Sequence, residues 1–378
     1  MNRFGISCLL TIAPLLAMAQ ESSKPTNQSG FMKALYWVKN LIDSSAVRGV
    51  DRSYIEQPKR PWAVEIRTDA SDSNLKMNTD LDFGDGVKGT MTTISEKGFT
   101  TSLGAWVGYR GYGLGWSKEL SGGEGTSFSL GFASGRFGIN FRLTSYHSNM
   151  PEFLYTFTEN GQNYKERDYN EIDDPIKVRT VFLDAYYLFN GKHFSYAAAY
   201  DQSLIQRRSA GSLMVGMMYD HTSADYSASS NWGWVWDMNG VGRMKFTQAN
   251  IGLGYAYNWV PARGWLISVL AMPTLTVYNR TTLYHYSFGF YTDKETFEEA
   301  WEEALENPEK APLLDTYNVS TTSNKITLNY DARMSVVYNW QRTYLRVYGH
   351  YNRFHYGSGH TWGRLYDWKV YAAFGYRF

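Results

Sequence analysis

Along most of the chain after Trp62, hydrophobic residues recur at every second position, the repeat of a β-strand whose two faces meet different surroundings. Ile251, Leu253, Tyr255, Tyr257 and Trp259 alternate with Asn250, Gly252, Gly254, Ala256 and Asn258. The segment 326–340 is cleaner: Ile326, Leu328, Tyr330, Ala332, Met334, Val336, Tyr338 and Trp340 make one face, and Lys325, Thr327, Asn329, Asp331, Arg333 and Ser335 the other. Alternation sustained for about 15 residues outruns the strands of soluble sandwiches, which average about 5 or 6. A tilted strand that crosses a bilayer needs about 9 to 11 residues, with aromatics near its ends. Segments 137–143, 179–189, 194–204, 345–351 and 366–378 read the same way. Twelve such strands are expected from Phe99 onward, and two weaker ones at 62–69 and 75–83.

The last segment is the most specific. Counting back from the terminus, Phe378, Tyr376, Phe374, Ala372, Val370, Trp368 and Tyr366 share one face. A terminal aromatic on an alternating strand is similar to the signal that the outer-membrane assembly machinery reads, which assigns that role to Tyr376 and Phe378. Lipid offers no water to satisfy an open sheet edge, so the strands must close. The expected fold is therefore all-β: a transmembrane antiparallel up-and-down β-barrel of 12 to 14 strands over residues 62–378.

Connections sort by length, with short periplasmic turns at 190–192, 261–264 and 341–343 and long external loops at 220–245 and 279–324. The alternation of sides holds from Lys245 to the end. Earlier it breaks, because the turn at Asn190 falls outside and the stretch 148–177 inside. Pro273, which has no amide to donate, predicts a bulge or break between Ala271 and Thr274, with Leu275 and Val277 resuming the lipid-facing set. The register of 325–340 makes Met334→Arg costly and Arg333→Met the milder change.

Ahead of the barrel, Arg3, the apolar stretch from Phe4 to Ala17 and the small-x-small Ala17-Met18-Ala19 read as a signal peptide of residues 1–19, cleaved before Gln20. The lone Cys8 lies inside it, which removes thiol chemistry from the processed chain. Residues 20–61 are expected to be a periplasmic segment in which Phe31, Leu35, Val38, Leu41 and Ile42 mark a short amphipathic helix. The net charge of +1 gives no electrostatic argument for nucleic acid. An aromatic share of 17%, with 30 Tyr and 13 Trp, suits strands with interfacial belts.

Candidate chemistry lies on the polar faces. Arg142, Asp184, Asp201, Asp331, Arg333, Arg346, His350, Asp367, Lys369 and Arg377 are expected to face the lumen, with both signs mixed. His221 with Ser223 and His285 with Ser287 stand two apart, as in some outer-membrane lipases, but this spacing is frequent enough by chance to decide nothing. Glutamates between Glu295 and Glu306 surround Phe297 and Trp301 at helical spacing, predicting a short acidic helix on an external loop. Trp232, Trp234 and Trp236 fit an interfacial belt. No residue set calls for a metal or cofactor.

The run Asp51-Arg52-Ser53-Tyr54-Ile55-Glu56-Gln57-Pro58-Lys59-Arg60-Pro61-Trp62 resembles the lead-in motif of a Bacteroidetes outer-membrane barrel family catalogued as a domain of unknown function, family 4421. Phe194-Ser195-Tyr196, Gln206 with Ser209-Ala210-Gly211-Ser212, and Gly252-Leu253-Gly254-Tyr255-Ala256-Tyr257-Asn258-Trp259 extend the likeness over nearly all of the chain after Asp51. The resemblance implies a barrel in the bacterial outer membrane. It carries no activity, cofactor or catalytic residue.

Function then narrows to three readings: a porin-like barrel that passes or binds a small solute, an outer-leaflet barrel enzyme acting on lipid or lipopolysaccharide, or a structural or adhesive barrel acting through its loops. The first is favoured, since no nucleophile, base and orienting acid assemble into a catalytic set. The expected partners are outer-membrane lipids, the barrel assembly machinery and a small solute, with no nucleic acid. Deleting Phe378 should lower the amount of barrel in the outer membrane while Phe378→Tyr stays nearly silent, measured by membrane fractionation; normal levels of the deletion would contradict the assigned signal.

Overall fold

The computed structural model describes residues 47–82, 88–96, 99–121, 124–148, 151–159, 162–169, 174–231, 235, 240–288, 299, 302, 314–323, 326–358 and 361–378. The expected signal peptide, the helix at 31–42, Trp232, Trp234 and Trp236, and the acidic helix apart from Glu299 and Glu302 lie outside them. Twelve strands form the wall. In chain order they are β1 (Trp62–Asp82), β2 (Thr100–Tyr109), β3 (Tyr112–Ser121), β4 (Thr126–Ala133), β5 (Phe137–Ser148) and β6 (Ile176–Leu188). They continue as β7 (Ala210–Asp225), β8 (Val241–Trp259), β9 (Trp265–Phe288), β10 (Leu328–Trp340), β11 (Thr343–Ser358) and β12 (Thr361–Arg377).

Each strand pairs antiparallel with its chain neighbour, and β12 pairs with β1 from Arg377↔Ala63 to Thr361↔Thr79. The sheet is thereby a closed antiparallel barrel. At the seam the Phe378 amide donates to the Trp62 carbonyl at 3.0 Å, and the two rings stack at 6.5 Å. Among the described residues no helix is long and apolar enough to span a bilayer; the chain crosses with strands.

Period-two patterning decides which side is lipid. Met334 is 51% exposed while Arg333 is 5% exposed. The same split runs round the wall, with Ile66, Leu130, Ile139, Val215, Ile251, Val269, Val347 and Phe374 outward and exposed. A soluble protein seldom shows a contiguous apolar surface of this extent. Phe137, Phe189, Trp259, Trp265, Trp340 and Phe378 sit at the strand ends nearest the two barrel termini, where an aromatic girdle marks the interface.

Four readings of the sequence need correction. The strand expected at 194–204 is a short helix, α1 (Tyr196–Tyr200), buried at every residue. Three consecutive alanines are the best helix formers, and the Ser195 hydroxyl caps the turn by accepting from the Ala198 amide at 3.1 Å. With that strand removed, the sides alternate throughout. The connection 189–209 lies at the same end as Trp62 and Arg377, the periplasmic end by its short turns, and 149–175 lies at the opposite, external end.

The two short strands expected at 62–69 and 75–83 are one continuous β1. Its outer part, from Asn74, exchanges β2 for the external strand Lys88–Glu96, which is followed across the sheet by Pro151–Glu159 and Gln162–Tyr169. Pro273 breaks nothing: β9 runs through it opposite Tyr330, with the same register to β8 on either side. The shift falls instead between Ala249↔Tyr278 and Asn250↔Thr276, leaving Val277 as the extra residue.

The Arg333 expectation also changes, because its guanidinium neutralises two buried carboxylates. Met334→Arg should cost about 2 to 4 kcal/mol, as charges do at the bilayer midplane. Arg333→Met should cost about as much or more, roughly 3 to 5 kcal/mol, by leaving Asp331 and Asp184 uncompensated. Heat-modifiable gel mobility against temperature measures both; full tolerance of either would rule out this register.

Candidate functional site

The lumen is floored from the periplasmic end by the connection between β6 and β7. Tyr196 and Tyr200, four apart, share a face of α1 with rings 4.4 Å apart, and Tyr186 of the wall packs 4.1 Å from Tyr196. The plug is bound to the wall through its backbone. Ser335 Oγ donates to the Ala199 carbonyl at 2.7 Å, Asn258 Nδ2 to the Ser195 carbonyl at 2.9 Å, and Arg377 Nη2 to the Gln202 carbonyl at 3.2 Å. Arg346 donates to the Tyr200 carbonyl and Arg333 to the Tyr196 hydroxyl. Gln206 accepts from the Ser195 amide and donates to the His193 and Arg208 carbonyls, fixing the return of the loop. Ile205–Gln206 pairs with Ile55–Glu56, so the lead-in segment is strapped to the plug.

Above the plug the charges are matched. Arg346, 1% exposed, places Nη2 at 2.7 and 3.0 Å from the two oxygens of Glu65, which also accepts from Tyr344 OH at 2.8 Å and Arg67 Nε at 2.6 Å. Arg333 holds Asp331 with two nitrogens at 2.8 and 3.0 Å and reaches Asp184 at 3.4 Å; His350 Nε2 lies 3.0 Å from Asp331. Arg142 meets Asp367 at 3.3 Å and Lys369 meets Asp69 at 2.9 Å. Such pairs cost desolvation, and removing one partner strands a buried charge.

Between these groups and the wall of β2–β5 there is space. The wall there is glycine and serine, and Trp106 lies flat across it: an added side-chain carbon at Gly108 or Gly113 would fall 1.9 or 2.1 Å from its ring. A cavity of about 170 Å³ results, bounded by Arg67, Trp106, Ser129, Asp184, Arg333 and Tyr371. A smaller one of about 70 Å³ lies further out, against Asp220 and Asn352. Arg142, Asp69 and Lys369 border both, so two ion pairs stand at the junction. The amide of Asn352 has no hydrogen-bond partner on either atom although the residue is 1% exposed.

A family model described as a domain of unknown function (DUF4421) matches residues 49–378. The chain belongs to this family. No curated protein matches the sequence. Solved structures that resemble this DUF4421 barrel include the outer-membrane protease OmpT of Escherichia coli, at 8% identity over 84% of this chain and 97% of that one, TM-score 0.37. Another is the COG4313 outer-membrane channel of Pseudomonas putida F1, at 9% identity over 85% and 97%, TM-score 0.28. A third is the translocator domain of the autotransporter NalP of Neisseria meningitidis, at 10% identity over 94% and 100%, TM-score 0.26. At these values the likeness is one of fold.

The DUF4421 barrel turns nine of the ten candidate residues inward from strands: Arg142, Asp184, Asp331, Arg333, Arg346, His350, Asp367, Lys369 and Arg377. Asp201 is the exception. It lies on the plug, just after α1, where burial pushes its carboxyl up to about 6. Glu65, Arg67 and Asp69 of β1 join the nine on the inward face, outside the expected set, although Val64, Ile66 and Thr68 alternate with them. Of the His-x-Ser histidines, His221 Nδ1 lies 2.8 Å from Thr247 Oγ1, and His285 Nε2 lies 3.0 Å from Ser320 Oγ.

Glu65→Ala strands Arg346 and should lower stability by about 3 to 5 kcal/mol. Pairing it with Arg346→Met should recover much of the loss. Thermal unfolding of both single variants and the double variant in detergent measures this; a double-variant loss equal to the sum of the two single losses would mean that the pair contributes no coupling.

Proposed function

We propose that this DUF4421 chain is an outer-membrane barrel that binds a small polar, uncharged solute in its lumen above a plug that keeps the periplasmic end shut. The observation that carries the reading is the plug itself, held to strands β8, β10, β11 and β12 by bonds to its own main chain. A freely passing channel has no use for that floor, whereas a binding chamber needs one. Matched charge argues for the ligand type. Arg67, Arg142, Lys369 and Arg333 each already face a carboxylate, so an ionic solute would have to break an ion pair. A hydroxyl-rich solute would instead use the remaining lone pairs and donors, the serines of β3 and β4, and the ring faces of Trp106 and Tyr371.

Planar-bilayer recording tests this. The intact barrel should show no steady open conductance, and replacing residues 195–204 by a glycine-serine linker should yield one, with folding checked by heat-modifiable mobility. A steady open level from the intact chain would overturn the reading.

A further inference from the structure

The outer half of the wall carries a second arrangement of charge that the lumen does not explain. On β6 to β9 the outward positions near the periplasmic end are apolar or aromatic: Tyr187, then Leu213, Val215 and Met217, then Trp259, Tyr257, Tyr255, Leu253 and Ile251, then Trp265 and Val269. Further out the character switches on all four strands. Lys177 and Arg179 project from β6, His221 from β7, Arg243 and Lys245 from β8, and Arg280 from β9.

Register makes these one patch. Arg179 pairs with Ser223, which pairs with Lys245; Lys177 pairs with Asp225, which pairs with Arg243; His221 pairs with Thr247, which pairs with Arg280. Neighbouring strands lie about 4.8 Å apart and successive residues about 3.3 Å, so the patch spans roughly 20 Å from Lys177 to Arg280, with Lys245 between them. Asp225, 3.7 Å from Arg243, is the one carboxylate at the outward positions of the patch. Lys177, Arg179 and Arg280 have no acidic partner among the described residues.

The depth fits a headgroup layer. Lys245 stands 14 residues from Trp259 of the periplasmic girdle, about 46 Å along the strand and about 35 Å of depth at a typical tilt. The apolar band of such barrels is about 25 Å tall. The patch is therefore placed just beyond the hydrocarbon on the external side, where cations meet lipid phosphates. Lys245 Nζ lies 2.6 Å from Tyr284 OH and over its ring, on the outward face of β8 and β9.

We propose that the outward face of β6–β9 is a binding site for a multiply phosphorylated glycolipid of the external leaflet, with Lys177, Arg179, Lys245 and Arg280 holding its phosphates while its acyl chains lie on the apolar band below. Clustered lysine and arginine suit two phosphates on one sugar headgroup. The site is independent of the lumen and of the plug.

The probes are bisphosphorylated lipid A and its dephosphorylated form, offered to the purified full barrel in zwitterionic detergent, with bound lipid read by native mass spectrometry. Wild type should retain the bisphosphorylated lipid at least tenfold better than the dephosphorylated one, and lose that preference in high salt. The combined variant Lys177→Gln, Arg179→Gln, Lys245→Gln, Arg280→Gln should lose it at low salt while keeping heat-modifiable mobility. Arg353→Gln with Arg364→Gln, on the far wall, should not. Equal retention of both lipids by wild type, or an unchanged preference in the fourfold variant, would overturn the proposal; so would equal loss in the far-wall variant. Should the fourfold variant not fold, the two wild-type arms alone decide.

Discussion

Closure of β12 onto β1 is the constraint from which the rest of this molecule follows. In hydrocarbon every main-chain amide must find a partner within the protein, and a twelve-strand sheet has partners for all of its strands only when its first and last meet. The pairing from Ala63 to Thr79 against Thr361 to Arg377 supplies them. Once the sheet is closed, alternate side chains have nowhere to go but a lumen of fixed width. That enclosure turns Glu65, Asp331, Arg333 and Arg346 from ordinary polar residues into buried charges that must be neutralised inside the barrel.

A wall of this strand number leaves more room than its own side chains fill, and the protein deals with the excess unevenly. Against β8 to β12 it inserts α1 and bonds it through main-chain carbonyls to Ser335, Arg346 and Arg377. Arginines at the carboxyl end of the helix meet the negative pole of its peptide dipoles, which favours that placement. Against β2 to β5 it uses glycine and serine instead, with one tryptophan laid across Gly108 and Gly113. The floor is dense and the opposite wall is hollow, so the cavity lies to one side.

The barrel could be read from the alternation because lipid and lumen impose opposite demands on successive residues. Met334 beside Arg333 and Phe374 beside Ala373 declare their faces without reference to any other strand. The plug could not be read that way. Phe194, Tyr196 and Tyr200 fit a period of two as well as a helical spacing, and only the Ser195 cap and the run Ala197-Ala198-Ala199 favour the helix. A strand at 194–204 reverses the side of every earlier connection, which is why the alternation alone puts 148–177 inside. The partners of the candidate charges were equally hidden. Arg346 and Glu65 are 281 positions apart, and nothing in either neighbourhood says that closure will bring them together.

One feature of the lumen was nonetheless local. On β1 the inward positions read Glu65, Arg67, Asp69; on β10, Asp331, Arg333; on β12, Asp367, Lys369. Opposite charges two residues apart on one strand lie on the same face, so these three strands each present both signs to the lumen. A constriction that sorts ions by field needs acids on one wall and bases on the other, and this spacing forbids such separation. The lumen is left with local dipoles and little net field, which weakens its grip on an ion and preserves its capacity to hydrogen-bond a neutral polar solute. The external face of β6–β9 shows the contrasting pattern: Lys177 with Arg179 and Arg243 with Lys245 repeat one sign at the same spacing, which concentrates charge where the lumen cancels it.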